Sequence, residues 1–129
     1  MNDDKSMYRV APDSSTLIFG MDIAATDLGA ILPNMGRMVA GDSRTITSAI
    51  LHSNYVARAI CALFAPKLEP HNDAISVIES LSSAGFTGQV IVLAPPLLRP
   101  KMVESELRAL ARGMQMTLIA GAMPPLDQI

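Results

Sequence analysis

The side chains that could do chemistry are few, and they do not converge in the sequence. His52 and His71 have no cysteine and no second acid at ligand spacing, so both are expected as solvated or cap-neighbouring residues, and no metal is expected. Cys61 is the one cysteine. It cannot close an internal disulfide, and inside its apolar run it serves as a small hydrophobe rather than a redox group. Ser14, Ser15, Thr16 and the polar cluster at 42–47 carry modifiable hydroxyls, but a loop and a helix cap account for them. Neither the G-x-G-x-x-G nor the G-x-x-x-x-G-K-[ST] phosphate cradle occurs, so no nucleotide cofactor is expected. With no nucleophile–base pair and no carboxylate dyad to read, the chain is not expected to be an enzyme.

The bulk properties narrow the partners. Net charge is −2, and the 10 Lys and Arg residues are scattered, which argues against nucleic acid. Charge, Pro or Gly interrupts every apolar stretch before the roughly 20 residues that a membrane span needs. The opening MNDDKSMYRVAPDSS has no apolar signal region, so a cytoplasmic location is expected. The 129 residues are half hydrophobic and 17% charged, which suits one folded domain with one core.

The elements that must position these residues alternate along the chain. Residues 1–14 lack periodicity and read as a flexible lead-in to a domain over 15–129. The run at 16–21 suits a strand covered on both faces, followed by a short helix at 24–32 that Pro33 ends. Arg37, Met38, Val39 and Ala40 suit a second strand, and Asp42 or Ser43 a cap for a helix whose Ile46, Ala49 and Ile50 share a face. The unbroken apolar run at 59–65 predicts a central strand stopped by Pro66.

Asn72 or Asp73 then caps a helix with Ala74, Ile75, Val77, Ile78 and Leu81 on one side and Gly85 at its end. A strand at 90–94 follows directly. Pro100 opens a helix with Val103, Leu107, Leu110 and Ala111 in a stripe and Glu104 paired to Arg108. A fifth strand at 116–119 is followed by no predicted helix. This order implies a parallel sheet with right-handed crossovers and helices on both faces.

The stretch from Ala59, AICALFAPKLEPHNDAISVIESLSSAGFTGQVIVLAPPLLRPKMVESELRALARGMQMTLI, resembles the second half of CheY-like response-regulator receiver domains in order and rhythm. The first half matches them in spacing. The resemblance implies an α/β, flavodoxin-like, doubly wound five-stranded parallel sheet with its last helix missing. In that family a strand ends on a phosphoacceptor Asp, and a loop with Pro and Asp-Gly leads into the next helix. Pro70 and Asp73-Ala74 resemble the later part, and counting back without a gap puts Pro66 at the acceptor position.

By the same spacing the family's metal-holding acids correspond to Met21 and Asp22. Its switch hydroxyl corresponds to Ala94, and its Lys-Pro to Pro124-Pro125. Proline has no nucleophilic oxygen, and Asp22 alone should hold Mg²⁺ no better than a surface carboxylate. The chain thus resembles a degenerate, or pseudo-, receiver with no cofactor.

The function this implies is a non-catalytic, phosphorylation-independent signalling or scaffold module that works through protein contacts. Without a last helix, an apolar strip on strands one and five would be left open, so a protein partner or a second copy, as a homodimer, is expected to cover it. Arg99, Lys101, Glu104 and Arg108, with Met116 and Leu118 of the fifth strand, are the expected contact residues. Of the nine methionines, several near element ends suit either core filling or an adaptable surface. The alternative is a small-ligand binder using the crevice at the C-terminal strand ends, near Asp22, Pro66, Lys67 and Ala94.

Overall fold

Five short apolar runs pair side by side in the computed structural model, which describes residues 14–20 and 36–122. The strands are β1 (Ser15–Phe19), β2 (Arg37–Gly41), β3 (Val56–Ala62), β4 (Gln89–Ala94) and β5 (Gln115–Ala120). They form one parallel sheet in the order β2-β1-β3-β4-β5. Parallel strands need crossovers. The described helices are α1 (Ser48–Ser53), α2 (Ala74–Ser83) and α3 (Pro100–Leu110). The helix expected at 24–32, Met21, Asp22 and Pro124-Pro125 lie outside the described residues.

Side-chain alternation divides the core into two clusters on opposite faces of the sheet. Leu17, Phe19, Ala59, Cys61, Val90, Val92 and Met116 join Leu51 of α1, Ala74, Val77, Ile78 and Leu81 of α2, and Leu107 with Ala111 at the end of α3. All three described helices therefore pack on one face. The other face carries a smaller cluster of Ile18, Ile60, Ala62, Ile91 and Leu93, with Ile119 and Ala122 against it. Each fully buried Leu or Ile contributes about 1.5–3 kcal/mol, so the larger cluster dominates stability.

Several sequence expectations shift. The central strand begins and ends three residues before the predicted run, because Arg58 enters it as a buried residue. Its Nε donates to Gln89 Oε1 at 3.0 Å, and burial pushes the guanidinium below its usual pKa. Thr47, not Asp42 or Ser43, caps α1, accepting from Ile50 N–H at 3.3 Å. Ile75 and Leu110 turn outward at 48% and 38% exposure, since α2 and α3 bury a narrower stripe than the apolar spacing allowed.

The expected open strip is absent from strand one. β1 is an interior strand, and Thr16 and Ile18 are buried, Ile18 within the smaller cluster. On β5, Thr117 and Ile119 are half-buried. Ser14 is also buried, and its carbonyl accepts from Arg37 N–H at 3.1 Å; residues 1–13 of the expected lead-in lie outside the described residues.

Candidate functional site

In an open parallel sheet the usual place for chemistry is the rim formed by the C-terminal strand ends. Here the last strand residues are Phe19, Gly41, Ala62, Ala94 and Ala120, none with a side-chain heteroatom. Ala94 stands beside Ala120, and Ala62 beside Leu93. Backbone bonds continue past the strand ends, from Leu63 N–H to Leu93 O and from Gly121 N–H to Ala94 O, both 2.8 Å. Ala62 and Ala94 are buried, as is Pro95. Pro66 lies four residues beyond the end of β3, in the loop, so the strand-end position itself belongs to Ala62. Either residue lacks an oxygen nucleophile.

One acidic residue, Asp73, is brought beside this rim. The loop after β3 returns through a short 3₁₀ turn, Pro70–Asn72, and Asp73 forms a bridge with Ala62. Asp73 is the N-cap of α2, yet its side chain makes no capping bond. Burial, and secondarily the Asp73 charge, push the Cys61 thiol up to about 12. That agrees with an inert core cysteine.

A polar clamp ties the exit of β2 to the same loop. Ser43 N–H donates to Asn72 Oδ1 at 2.9 Å, and the Ser43 hydroxyl donates to the His71 carbonyl. Asp42 accepts from Arg44 N–H at 2.8 Å and pairs with the Arg44 guanidinium at 3.0 Å and His71 Nε2 at 3.2 Å. The Arg44 contacts hold the Asp42 carboxyl well below the usual carboxylate range. Asn72 is fully buried and donates to Glu69 Oε1 at 2.7 Å. Ser43, His71 and Asp42 are thus close, but the serine hydroxyl faces a backbone carbonyl rather than the imidazole, so no activated nucleophile results. His52 is separate, its Nδ1 2.7 Å from Ser48 O on α1. Among the described residues no group of three or more His, Cys, Asp and Glu could hold a metal ion.

The flank made by α3 and β5 is different. Arg99, Lys101 and Arg108 are exposed, with Arg112 just past the helix. Glu104 pairs with Arg108 at 3.3 Å as its i, i+4 spacing predicts. The same carboxylate oxygen accepts from Leu118 N–H of β5 at 3.4 Å. Leu118 is half-buried, while Met116 points into the core at 5% exposure, so Met116 can offer a partner its backbone but not its side chain. From sequence Arg112, with Gly113, is expected only to finish α3; the fold brings it beside the start of β5. The Asp42–His71 clamp was missed because its halves are distant in sequence.

The strand order and the alternation of helices define a flavodoxin-like fold of the CheY-like receiver type. Among solved structures, the receiver domain of Francisella response regulator 1452 is similar, with a TM-score of 0.55 and 14% identity over 89% of this chain and 88% of that one. At that identity the likeness is one of fold. No protein-family model matches the sequence, and no curated protein matches it.

Proposed function

We propose that this chain is a degenerate receiver: a signalling or scaffold module in the cytoplasm that neither accepts a phosphoryl group nor catalyses a reaction, and acts by contacting a protein partner or a second copy. The observation that carries this reading is the rim itself, where β3, β4 and β5 end on Ala62, Ala94 and Ala120. Phosphoryl transfer to a receiver needs an oxygen nucleophile and clustered carboxylates for Mg²⁺. Three methyl groups supply neither. The exposed charges of α3 beside the β5 edge are the contact surface in this reading, with Arg99, Lys101, Glu104 and Arg108 as its polar part.

The test is incubation with Mg²⁺ and acetyl phosphate, read by intact mass, alongside amide shifts with Mg²⁺ and beryllofluoride. The expected result is an unchanged mass and no saturable shift at Ala62, Ala94 or Ala120. A phosphorylated species, or saturable shifts at those amides, would overturn the reading. The small-ligand alternative draws no support from the depressions beside Arg112 and Met116 and beside Leu51 and Tyr55, which lie at the N-terminal strand ends.

A further inference from the structure

Glu104 shows how the α3–β5 flank receives a carboxylate. Gln115 N–H donates to Gly88 O at 3.1 Å, and Gly121 N–H to Ala94 O at 2.8 Å. In a parallel pair this sets the odd-numbered amides of β5 toward β4, and turns those of Met116, Leu118 and Ala120 outward. Glu104 Oε2 occupies the middle one, accepting from Leu118 N–H and from the Arg108 guanidinium at once. One acid is thus held by an edge amide and by an arginine one helical turn farther along.

The same two donors recur one step toward the start of the strand. Met116 precedes Leu118 by two residues, and its amide is the next one facing out; Arg112, two residues past the last residue of α3, lines the same depression as Met116. The helix position that would supply the acid there is Arg108 itself, a cation. An open depression of about 700 Å³ lies at this place, lined by Gln89, Arg108, Arg112, Met114, Gln115 and Met116 among others. The surrounding segment carries Arg99, Lys101, Arg108 and Arg112 against Glu104 and Glu106, a basic strip on a chain whose net charge is −2.

Resting on the reading of this flank as the contact surface, we infer that its depression takes an acidic segment of a protein partner. A carboxylate of that segment accepts from Met116 N–H and from Arg112, repeating the way Glu104 is held. Charge complementarity selects the occupant: a second basic strip would be repelled, whereas an acidic segment completes the donor pair.

The probe is a short acetylated and amidated peptide alternating Glu and Ser, titrated into isotope-labelled protein and followed by amide shifts. Saturable shifts centred on Gln115, Met116 and Arg112 are expected, with none from the same peptide carrying Gln for Glu. Arg112→Glu, an exposed change that should leave the rest of the spectrum intact, should weaken binding about tenfold or more. Absence of saturable shifts at Met116, or binding unchanged by Arg112→Glu, overturns the carboxylate site. Light scattering separates this from the parent reading. If the peptide fails but mass still rises with concentration, and Lys101→Glu abolishes that rise, the flank remains a contact surface and only the carboxylate site falls. If the peptide fails and the mass stays flat, the carboxylate site and self-association through this flank both fall, and contact with a different protein through it still stands.

Discussion

The C-terminal rim of the sheet and the α3–β5 flank use their residues in opposite ways. At the rim, the positions where this fold offers a reactive site are filled by Ala62 and Ala94, both buried, with Pro95 sealed behind them. On the flank, Glu104 and Arg108 stand in a geometry that engages the sheet's own backbone. A fold supplies locations, and the residue types decide which of them carries function. Among the described residues, the ends of β3, β4 and β5 carry methyl groups, while the flank carries a charged pair bonded to the strand edge.

The largest expected effect comes from putting a carboxylate back at the rim. Ala62→Asp would bury an acid among Ile60, Ile91 and Leu93 and should cost about 2–4 kcal/mol in urea unfolding. A cost near zero, together with stabilisation by Mg²⁺, would show that the rim is open to water and erase the contrast with the flank. Next, Asn72→Ala removes the acceptor of the buried Ser43 N–H and should cost about 1–3 kcal/mol by the same measurement. Retained stability would mean that the loop beside the rim is held by something other than the clamp.

The flank should be softer. Glu104→Ala deletes a partly exposed ion pair and one long hydrogen bond, so a loss of about 1 kcal/mol or less is expected. Its clearer readout is local: amide exchange at Leu118 should quicken, while that of the β3 amides should not. Equal acceleration in both places would show that the contact supports the whole sheet. The smallest effect concerns acid. Asp42 has a folded pKa below its unfolded value, so its contribution is present above about pH 4 and fades as pH falls through the acid range. Asp42→Asn should therefore lower stability at neutral pH slightly, by well under 1 kcal/mol for so exposed a pair, and flatten the acid limb of the stability profile.

Much of this architecture was legible in the sequence, because the strands after Val56 are apolar enough to show as runs and the prolines and glycines punctuate them. Val90, Ile91, Val92, Leu93 and Ala94 read as a strand and are one, and the Glu104–Arg108 pair follows from helical spacing alone. The central strand was misplaced for a physical reason. Arg58 looks like a boundary in sequence, yet it is paired with Gln89 across the sheet, a contact between residues 31 positions apart. The same long reach hid the Ser43–Asn72 bond, and with it the reason that residues 42–45 form a clamp rather than a cap. The outward amides of β5 were invisible too, since which amides face β4 is set by pairing and not by side-chain type.

The carboxylate on Leu118 N–H also bears on how the protein survives at high concentration. Met-Thr-Leu-Ile is the kind of β-prone, uncharged segment that seeds cross-β growth when its outer edge is bare. An anion fixed at the midpoint of that edge blocks an incoming strand where it would have to begin pairing. Removing Glu104 should therefore leave the Leu118 amide open to strand pairing, and Glu104→Ala should show earlier thioflavin-positive aggregation at high concentration than the parent protein.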